Sequence, residues 1–352
     1  MTDLLAELER LRTQGQRAAL GTIVATAGST PGKEAMKLLV REDGTFLGTV
    51  GGGCLEAEVY EAARAVLGGG APRVLEFHLN ERDYPDSGLL CGGIVKVFVE
   101  AVDDSSELFG RARALRDRGV SLARCSAIGP VPAGLGRGRL LARDGTDVGG
   151  LRHPAIDGEL AAAASAAMRE DRPRRVRLTI PGAEPFEVFV EPLIAPTILL
   201  FGGGHVSGAI AEIAHLADFR SIVMDDRASF ASRERHPHAH ECVAAPWEET
   251  VRRFAPAEDA RCVVVTRGHL DDERVLAEMA QCGYRPVYLG MIGSRTKQKL
   301  VLEKLRARGI GDEFIRTIRT PIGLDIGART HAEIAVAVVA ELIALRRKAD
   351  AR

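Results

Sequence analysis

The stretch TILLFGGGHVSGAIAEIAHLADFRSIVMDDR, Thr197–Arg227, reads as strand, glycine turn, helix and strand. Ile198–Phe201 is a short apolar run closed by glycine, and Ile210, Ile213, Ala214 and Ala217 recur at helical spacing. Ile222–Met224 is the next strand, ending at Asp225. Gly202, Gly204 and Gly208 form a GxGxxxG variant of a phosphate-binding fingerprint, in the right place: after a strand, opening a helix, with Asp225 about 20 residues on. The pattern predicts a pyrophosphate at Gly202, Gly204, His205 and Val206, and ribose hydroxyls on Asp225. Arg227 could instead meet an extra phosphate.

The same alternation continues outward. RCVVVTRGH is a strand and polar loop, Asp272–Cys282 a helix, and PVYLGMIGSRTKQK a strand, glycine turn and basic helix. THAEIAVAVVAELIALRRK closes the chain as a helix with Glu333 in its first turn and Arg346–Lys348 in its last, as the helix dipole favours. This alternation predicts a doubly wound parallel sheet. Ligands of such sheets bind outside the carboxyl ends of the strands, where Thr266, His269, Gly293, Ser294 and Arg295 are expected to converge on the Gly202 turn. Gly293-Ser294 is a second candidate anion cradle; helix capping and solvated charge are the other reading.

The first half carries a repeat. LLVREDGTFLGTVGG (Leu38–Gly52) resembles LLARDGTDVGG (Leu140–Gly150), and each is followed by an alanine-rich helix. PRVLEF (Pro72–Phe77) then matches RRVRLTI (Arg174–Ile180), and VKVFVE (Val95–Glu100) matches FEVFVE (Phe186–Glu191). Asp-Gly between apolar runs signals a hairpin in both copies. Two α+β lobes, about residues 16–102 and 119–192, are expected to share a core, joined by a helix around Ser105–Arg118. A break near Pro192–Thr197 divides the chain into domains 1–194 and 195–352, which suits a length of 352 residues.

The copies differ where chemistry is plausible. The glycine pair of the first runs into Gly53, Cys54 and Leu55; that of the second runs into Leu151, Arg152 and His153. The first also gains roughly 11 residues within Asn80–Gly93, including Cys91-Gly92-Gly93. Successive amides at Gly51, Gly52 and Gly53 form a nest for an anion, and a thiol at a helix N-terminus gains thiolate character suited to a soft metal. The plainer reading is a tight turn followed by a buried, inert cysteine. The two thiols face one ligand, form a redox pair, or never meet. Because the second lobe does without them, the Cys54 segment reads as a site laid on the scaffold.

Other classes are disfavoured. A net charge of −1 suggests no nucleic-acid surface, and no apolar run approaches the ~20 residues of a membrane span. The start, MTDLLAELERLRTQG, is acidic and unlike a secretory signal. Six cysteines without a CxxC pair indicate reduced thiols and a cytoplasmic protein. His236, His238 and His240 alternate in HPHAHE, more as a polar loop than as a metal site.

With GTVGGGCLE, LLCGG, LFGGGHV, MDDR, TRGH, LGMIGSR and PIGLDIGA in order along the chain, the sequence resembles the XdhC/CoxI family, accessory factors of xanthine dehydrogenase and related molybdenum hydroxylases. The resemblance implies an N-terminal α+β domain with a C-terminal Rossmann-like domain, often in a homodimer. It implies a chaperone that binds molybdenum cofactor in its molybdopterin form, protects it during sulfuration and delivers it to an apo molybdenum hydroxylase, with a cysteine desulfurase as a further partner. On that reading Gly51, Gly52, Gly53, Cys54, Glu56, Cys91, Gly92 and Gly93 hold the cofactor and Cys54 contacts molybdenum. The alternative, from another class, is an NAD(P)-dependent oxidoreductase using the Gly202 turn. The sequence departs from the family pattern twice. Pro31-Gly32-Lys33 stands where Pro-Arg is common, which leaves a basic contact to Lys33 or Lys37, and Thr330-His331 stands where Thr-Pro opens the last helix.

Overall fold

The internal repeat is a repeat of topology. The computed structural model describes residues 4–79, 92–102, 106–194, 196–255 and 260–348; at Cys54 only the backbone is described, and Cys91 with most of the expected insertion lies outside the described residues. After α1 (Leu4–Thr13), the first lobe runs β1 (Ala18–Ala27), β2 (Lys37–Arg41), β3 (Phe46–Gly48), α2 (Gly53–Leu67), β4 (Arg73–His78) and β5 (Ile94–Ala101). A connecting helix, α3 (Ser106–Asp117), leads to β6 (Leu122–Ala127), β7 (Gly138–Ala142), β8 (Asp147–Gly149), α4 (Pro154–Glu170), β9 (Arg174–Leu178) and β10 (Phe186–Leu193). The two sheets have the orders β3-β2-β1-β5-β4 and β8-β7-β6-β10-β9, the same arrangement twice. Both Asp-Gly turns form alike: Gly44 and Gly145 hold φ of 85° and 87°, and Asp43 and Asp144 accept from the amides of Thr45 and Thr146.

Each lobe builds its own core rather than sharing one. On α2, Leu55, Val59, Ala62, Ala63 and Val66 recur at helical spacing and bury against Ala19, Ile23, Val95, Val97 and Val99 of β1 and β5. The alternate residues Ala18 and Leu20 face the other way, onto Leu5, Leu8 and Leu11 of α1. The lobes meet in a small cluster of Val24, Phe98, Ile128 and Phe189. Two ion pairs also join the lobes. Arg124 donates to Glu100 at 2.6 Å, and Lys37 pairs with Glu191. Glu100 and Glu191 end the matching VFVE runs, but their partners are not equivalent: Arg124 lies opposite Glu191 as Leu20 lies opposite Glu100, and the place of Lys37 is taken in the second lobe by Gly138.

The second unit, Ala195–Arg352, is described by itself. Its elements are β11 (Thr197–Phe201), α5 (His205–Leu216), β12 (Arg220–Asp225), β13 (Glu241–Ala244), α6 (Trp247–Phe254), β14 (Arg261–Val264), α7 (His269–Gln281), β15 (Tyr288–Met291), α8 (Arg295–Ala307), α9 (Asp312–Thr317), β16 (Ile318–Arg319) and α10 (His331–Lys348). The sheet order β13-β12-β11-β14-β15-β16 is parallel throughout and matches the dinucleotide-binding fold, with its topological switch between β11 and β14. Helix α7 begins at His269, three residues before the expected Asp272, because Asp271, Asp272 and Glu273 are buried and belong to its first turns. At α10 the expected cap survives His331. Glu333 accepts from the amides of Arg329 and Thr330, and Thr330 Oγ1 accepts from Glu333 N.

Candidate functional site

The opening of α2 is unlike any helix start that a side-chain cap explains. Gly51, Gly52 and Gly53 hold φ of 122°, 86° and 63°, so three consecutive residues occupy conformations that other L-residues rarely adopt. Gly51 is wedged against the preceding loop: a Cβ there would lie 3.0 Å from Gly32 N and 3.1 Å from Pro31 Cγ. At Gly52 and Gly53 a Cβ would meet nothing within 4 Å, so these backbones face open space. Gly52 caps the helix with no side-chain hydrogen bond, and Cys54 is its second residue. Glu56 folds back instead, its Oε1 accepting from Gly52 N at 3.1 Å and Val50 N at 3.3 Å, with Thr49 Oγ1 also donating to it. A carboxylate of the chain itself therefore occupies part of the expected nest.

The Ser29–Lys33 loop links this turn to the second glycine pair. Ser29 bridges to Gly92, and a Cβ on Gly93 would lie 2.3 Å from Ser29 O. On the other side of the loop, a Cβ on Gly32 would lie 2.5 Å from Ile23 Cδ1 and 2.6 Å from Val50 O. No side chain fits at position 32. The basic contact assigned to Lys33 or Lys37 is also resolved in part. Lys37 is drawn into the lobe junction by Glu191 and by Ala35 O, while Lys33 is exposed.

The duplicate corrects the register read from the sequence. Gly48 and Gly149 occupy equivalent ends of β3 and β8, opposite Leu38 and Arg139. The helix caps Gly52 and His153 are therefore equivalent, and Cys54 matches Ala155 rather than Arg152. The second lobe closes the same place. His153 Nδ1 accepts from Ala155 N at 3.1 Å, and Pro154 fills the first helical position. Arg139, buried, joins Asp147 at 2.8 Å and Asp157 at 2.5 Å, where the first lobe has Leu38, Phe46 and Glu56. One copy carries a capping ring, a proline and an ion network; in the other Glu56 takes the amides of Val50 and Gly52, and the Cβ sides of Gly52 and Gly53 face open space.

In the second unit the glycine turn lies at the switch point, and its three glycines do different work. Gly202, at φ 124°, packs on β14, where a Cβ would lie 2.3 Å from Val265 O and 3.0 Å from Thr266 Cα. A Cβ on Gly203 would lie 2.2 Å from Phe230 O. At Gly204, the uncapped N-cap of α5, nothing lies within 4 Å. Gly208 makes room for the ring of His236, 3.4 Å from its Cβ position. His205 stacks on His331 with centroids 5.5 Å apart, and Val206 is half-buried.

Asp225 is 1% exposed and accepts from Gly203 N at 2.8 Å, Arg227 N at 3.1 Å and Arg227 Nε at 2.8 Å. Burial pushes this carboxyl up, but the Arg227 guanidinium and the two amides outweigh it and hold it below the usual range. Thr266 donates to the buried Asp272 at 2.6 Å, and Lys297 pairs with the same carboxylate. There burial prevails and the Asp272 carboxyl is raised. His269 and Ser294 open α7 and α8 on the same edge of the sheet, and Ser294 Oγ accepts from Lys297 N at 3.3 Å. The Lys297 chain covers Gly293, with Cδ 2.9 Å from its Cβ position. Arg295 is exposed. Sheet order puts Gly202, Asp225, Arg227 and Thr266 around one switch point and sets Gly293, Ser294 and Arg295 one strand further out.

Phe230, Arg235, His236, Asp272 and Lys297 were not among the expected site residues, since no spacing connects residue 230 to residue 203. The alternating histidines scatter: His236 bonds Phe230 O at 2.9 Å, His240 accepts from Ser221 N at 3.3 Å, and His238 lies tilted against His215, ring centroids 5.6 Å apart. Among the described residues no group of three or more His, Cys, Asp or Glu could hold a metal ion, and no helix is long and apolar enough to cross a membrane. Cys125 is wholly buried, and burial pushes its thiol up to about 12, so it stays protonated. Burial likewise raises Cys242, Cys262 and Cys282.

Comparison with known proteins adds an independent line. A model of the XdhC Rossmann domain matches residues 198–342, and a model of the XdhC and CoxI family matches residues 11–78. Over 348 residues the chain is 24% identical to a probable xanthine dehydrogenase subunit of Bacillus subtilis, covering 97% of both chains. It is 24% identical to the molybdenum cofactor insertion chaperone PaoD of Escherichia coli, covering 94% of this chain and 84% of that one. It is also 24% identical to the uncharacterized protein YqeB of Escherichia coli, of whose length it spans 47%. A crystal structure of a xanthine dehydrogenase from Bacillus halodurans superimposes with a TM-score of 0.77 at 24% identity, covering 98% of this chain and 96% of that one, which speaks to the fold.

Proposed function

Because the chain belongs to the XdhC/CoxI family, we propose that it is an accessory factor in the maturation of a molybdenum hydroxylase. It binds molybdenum cofactor in the molybdopterin form, shelters it during sulfuration and passes it to the apoenzyme. The observation that carries this reading is the asymmetry of the duplicated lobes. At equivalent helix starts, one lobe has a cap, a proline and an ion network; the other has Cys54 behind two glycines facing open space. Nothing lies within 4 Å of the Cβ position at Gly52 or Gly53, so a ligand has room to approach the backbone there.

The cofactor combines a sulfur-bound metal with a phosphate-bearing pterin. A thiolate at Cys54 suits the soft metal, and first-turn amides, which lack partners within the helix, suit the anionic groups. Glu56 would hold the amides of Val50 and Gly52 between loading and release. The metal chemistry that the cofactor supplies is spent in the client enzyme. The client hydroxylase, a cysteine desulfurase and a second copy of this chain are the expected partners. Cys91, Gly92 and Gly93 are proposed as further contacts to the cofactor.

The test is molybdenum per protomer after gel filtration of protein mixed with cofactor, with a thermal melt for each variant. Cys54→Ser should fold normally and lose retention, because a neutral hydroxyl is a poor soft-metal ligand. Cys125→Ser should keep it. If Cys54→Ser retains molybdenum and Cys125→Ser does not, the site is on the wrong lobe.

A further inference from the structure

The order of the second sheet and its glycine turn imply NAD(P) by fold, and the residues present can be tested against that cofactor. A dinucleotide needs a turn open to pyrophosphate, and a carboxylate at the end of the second strand free to accept ribose hydroxyls. Gly204 meets the first need, since nothing lies within 4 Å of its Cβ position. Asp225 ends β12, where the carboxylate is required, and does not meet the second.

An ionised carboxylate offers about four acceptor positions. Asp225 fills them from its own chain: Gly203 N at 2.8 Å, Arg227 N at 3.1 Å, Arg227 Nε at 2.8 Å and Arg227 Nη2 at 3.1 Å. At 1% exposure it also presents no surface to a ribose. The loop that follows is folded onto the turn. Arg235 Nε donates to Gly203 O at 3.1 Å, and His236 Nε2 lies 3.2 Å from the same oxygen and 2.9 Å from Phe230 O. The Phe230 ring carries the Arg227 guanidinium at 3.6 Å and the Arg235 guanidinium at 4.5 Å. Asp226 is tied across the switch point to Arg267 at 2.9 Å.

We infer that the second unit does not take NAD(P). Asp225 is a clasp that fixes the glycine turn and the loop after β12, and that loop stands on the adenosine side of the crevice, beyond the end of β12. Nothing in this depends on the molybdenum reading, whose assay follows Cys54 in the first unit.

The test titrates the full chain with NADH and separately with NADPH to about 1 mM, following nicotinamide fluorescence and the thermal midpoint. A site with a Kd near 10 µM would then be about 99% filled and would raise the midpoint by several degrees. The expected result is no saturable signal and no rise with either nucleotide. Asp225→Asn should lower the midpoint in the absence of nucleotide, because an amide cannot accept from all four donors, and it should leave nucleotide binding as absent as before. Saturable binding of either nucleotide to the native chain overturns the inference. Tenfold weaker binding in Asp225→Asn would further place the carboxylate on the ribose.

Discussion

Replacing each glycine of the Gly202–Gly204 turn by alanine should give three different stabilities. Position 203 is the clearest. The added Cβ would lie 2.2 Å from Phe230 O and 2.7 Å from its carbonyl carbon, and both are backbone atoms that cannot rotate away. Overpacking against fixed atoms costs about 1–3 kcal/mol, and the absence of a flexible neighbour puts Gly203→Ala at the upper end. Position 202 adds backbone strain, because φ is 124° and a Cβ would also lie 2.3 Å from Val265 O; the sum should exceed about 3 kcal/mol. Position 204 has an ordinary extended backbone, φ −78° and ψ −177°, and open space. There the loss of unfolded-state freedom favours alanine by about 0.4–1 kcal/mol, while the N-cap preference for glycine opposes it by a similar amount. Gly204→Ala should therefore stay within about 0.5 kcal/mol of native. At roughly 2–4 °C per kcal/mol for a unit of this size, the midpoints should fall by roughly 10 °C at 202, by roughly 5–10 °C at 203, and by less than about 2 °C at 204. Thermal melts of the full chain, with urea titrations to check cooperativity, read the series. If Gly204→Ala proves as damaging as Gly203→Ala, the turn is not open at 204 and the division of labour among its glycines is wrong.

Arg124→Ala strands the buried Glu100 carboxylate and should cost about 3–5 kcal/mol, whereas the double change Arg124→Met with Glu100→Leu should recover most of it; urea unfolding separates the two. Glu7 is held at about 2 rather than its ordinary 4.5 by the Arg10 guanidinium first and Arg41 after it, against the opposing effect of burial. A depressed carboxyl stabilises fully above its unfolded value, and the contribution is lost as pH falls. The melting gap between native protein and Glu7→Gln should thus be widest above about pH 4.5 and close towards pH 2; a gap independent of pH would refute the pairing. Glu56→Ala releases the amides of Gly52 and Val50 and should lower the midpoint slightly, with faster hydrogen exchange confined to those two amides.

Local pattern was sufficient for most of the architecture. An apolar run closed by glycine marks β11, one ending at Asp225 marks β12, helical spacing marks α5, and Asp-Gly marks both hairpins, because each depends on residues a few positions apart. The repeat was legible for the same reason, and it carried the paired lobes with it. Its register was not. Glycine pairs at 51–52 and 149–150 look equivalent in the sequence, but the ladders align Gly48 with Gly149 and set Ala155 beside Cys54's position. Strand pairing is a non-local contact, and a short glycine motif repeated three residues later disguises it.

The same limit applies at both candidate sites. The composition of the Gly51–Cys54 turn announces an exposed backbone, and nothing nearby in sequence says that Glu56 will turn back onto it. Asp225 stands where the dinucleotide pattern expects a ribose ligand, and only the fold brings Arg227 and Gly203 to its oxygens and lays the 230–236 loop on the turn. Residue type and spacing determine which groups reach the edge of a sheet. Whether a group that arrives there is free for a ligand depends on every donor the rest of the chain delivers to it, and that is a property of packing.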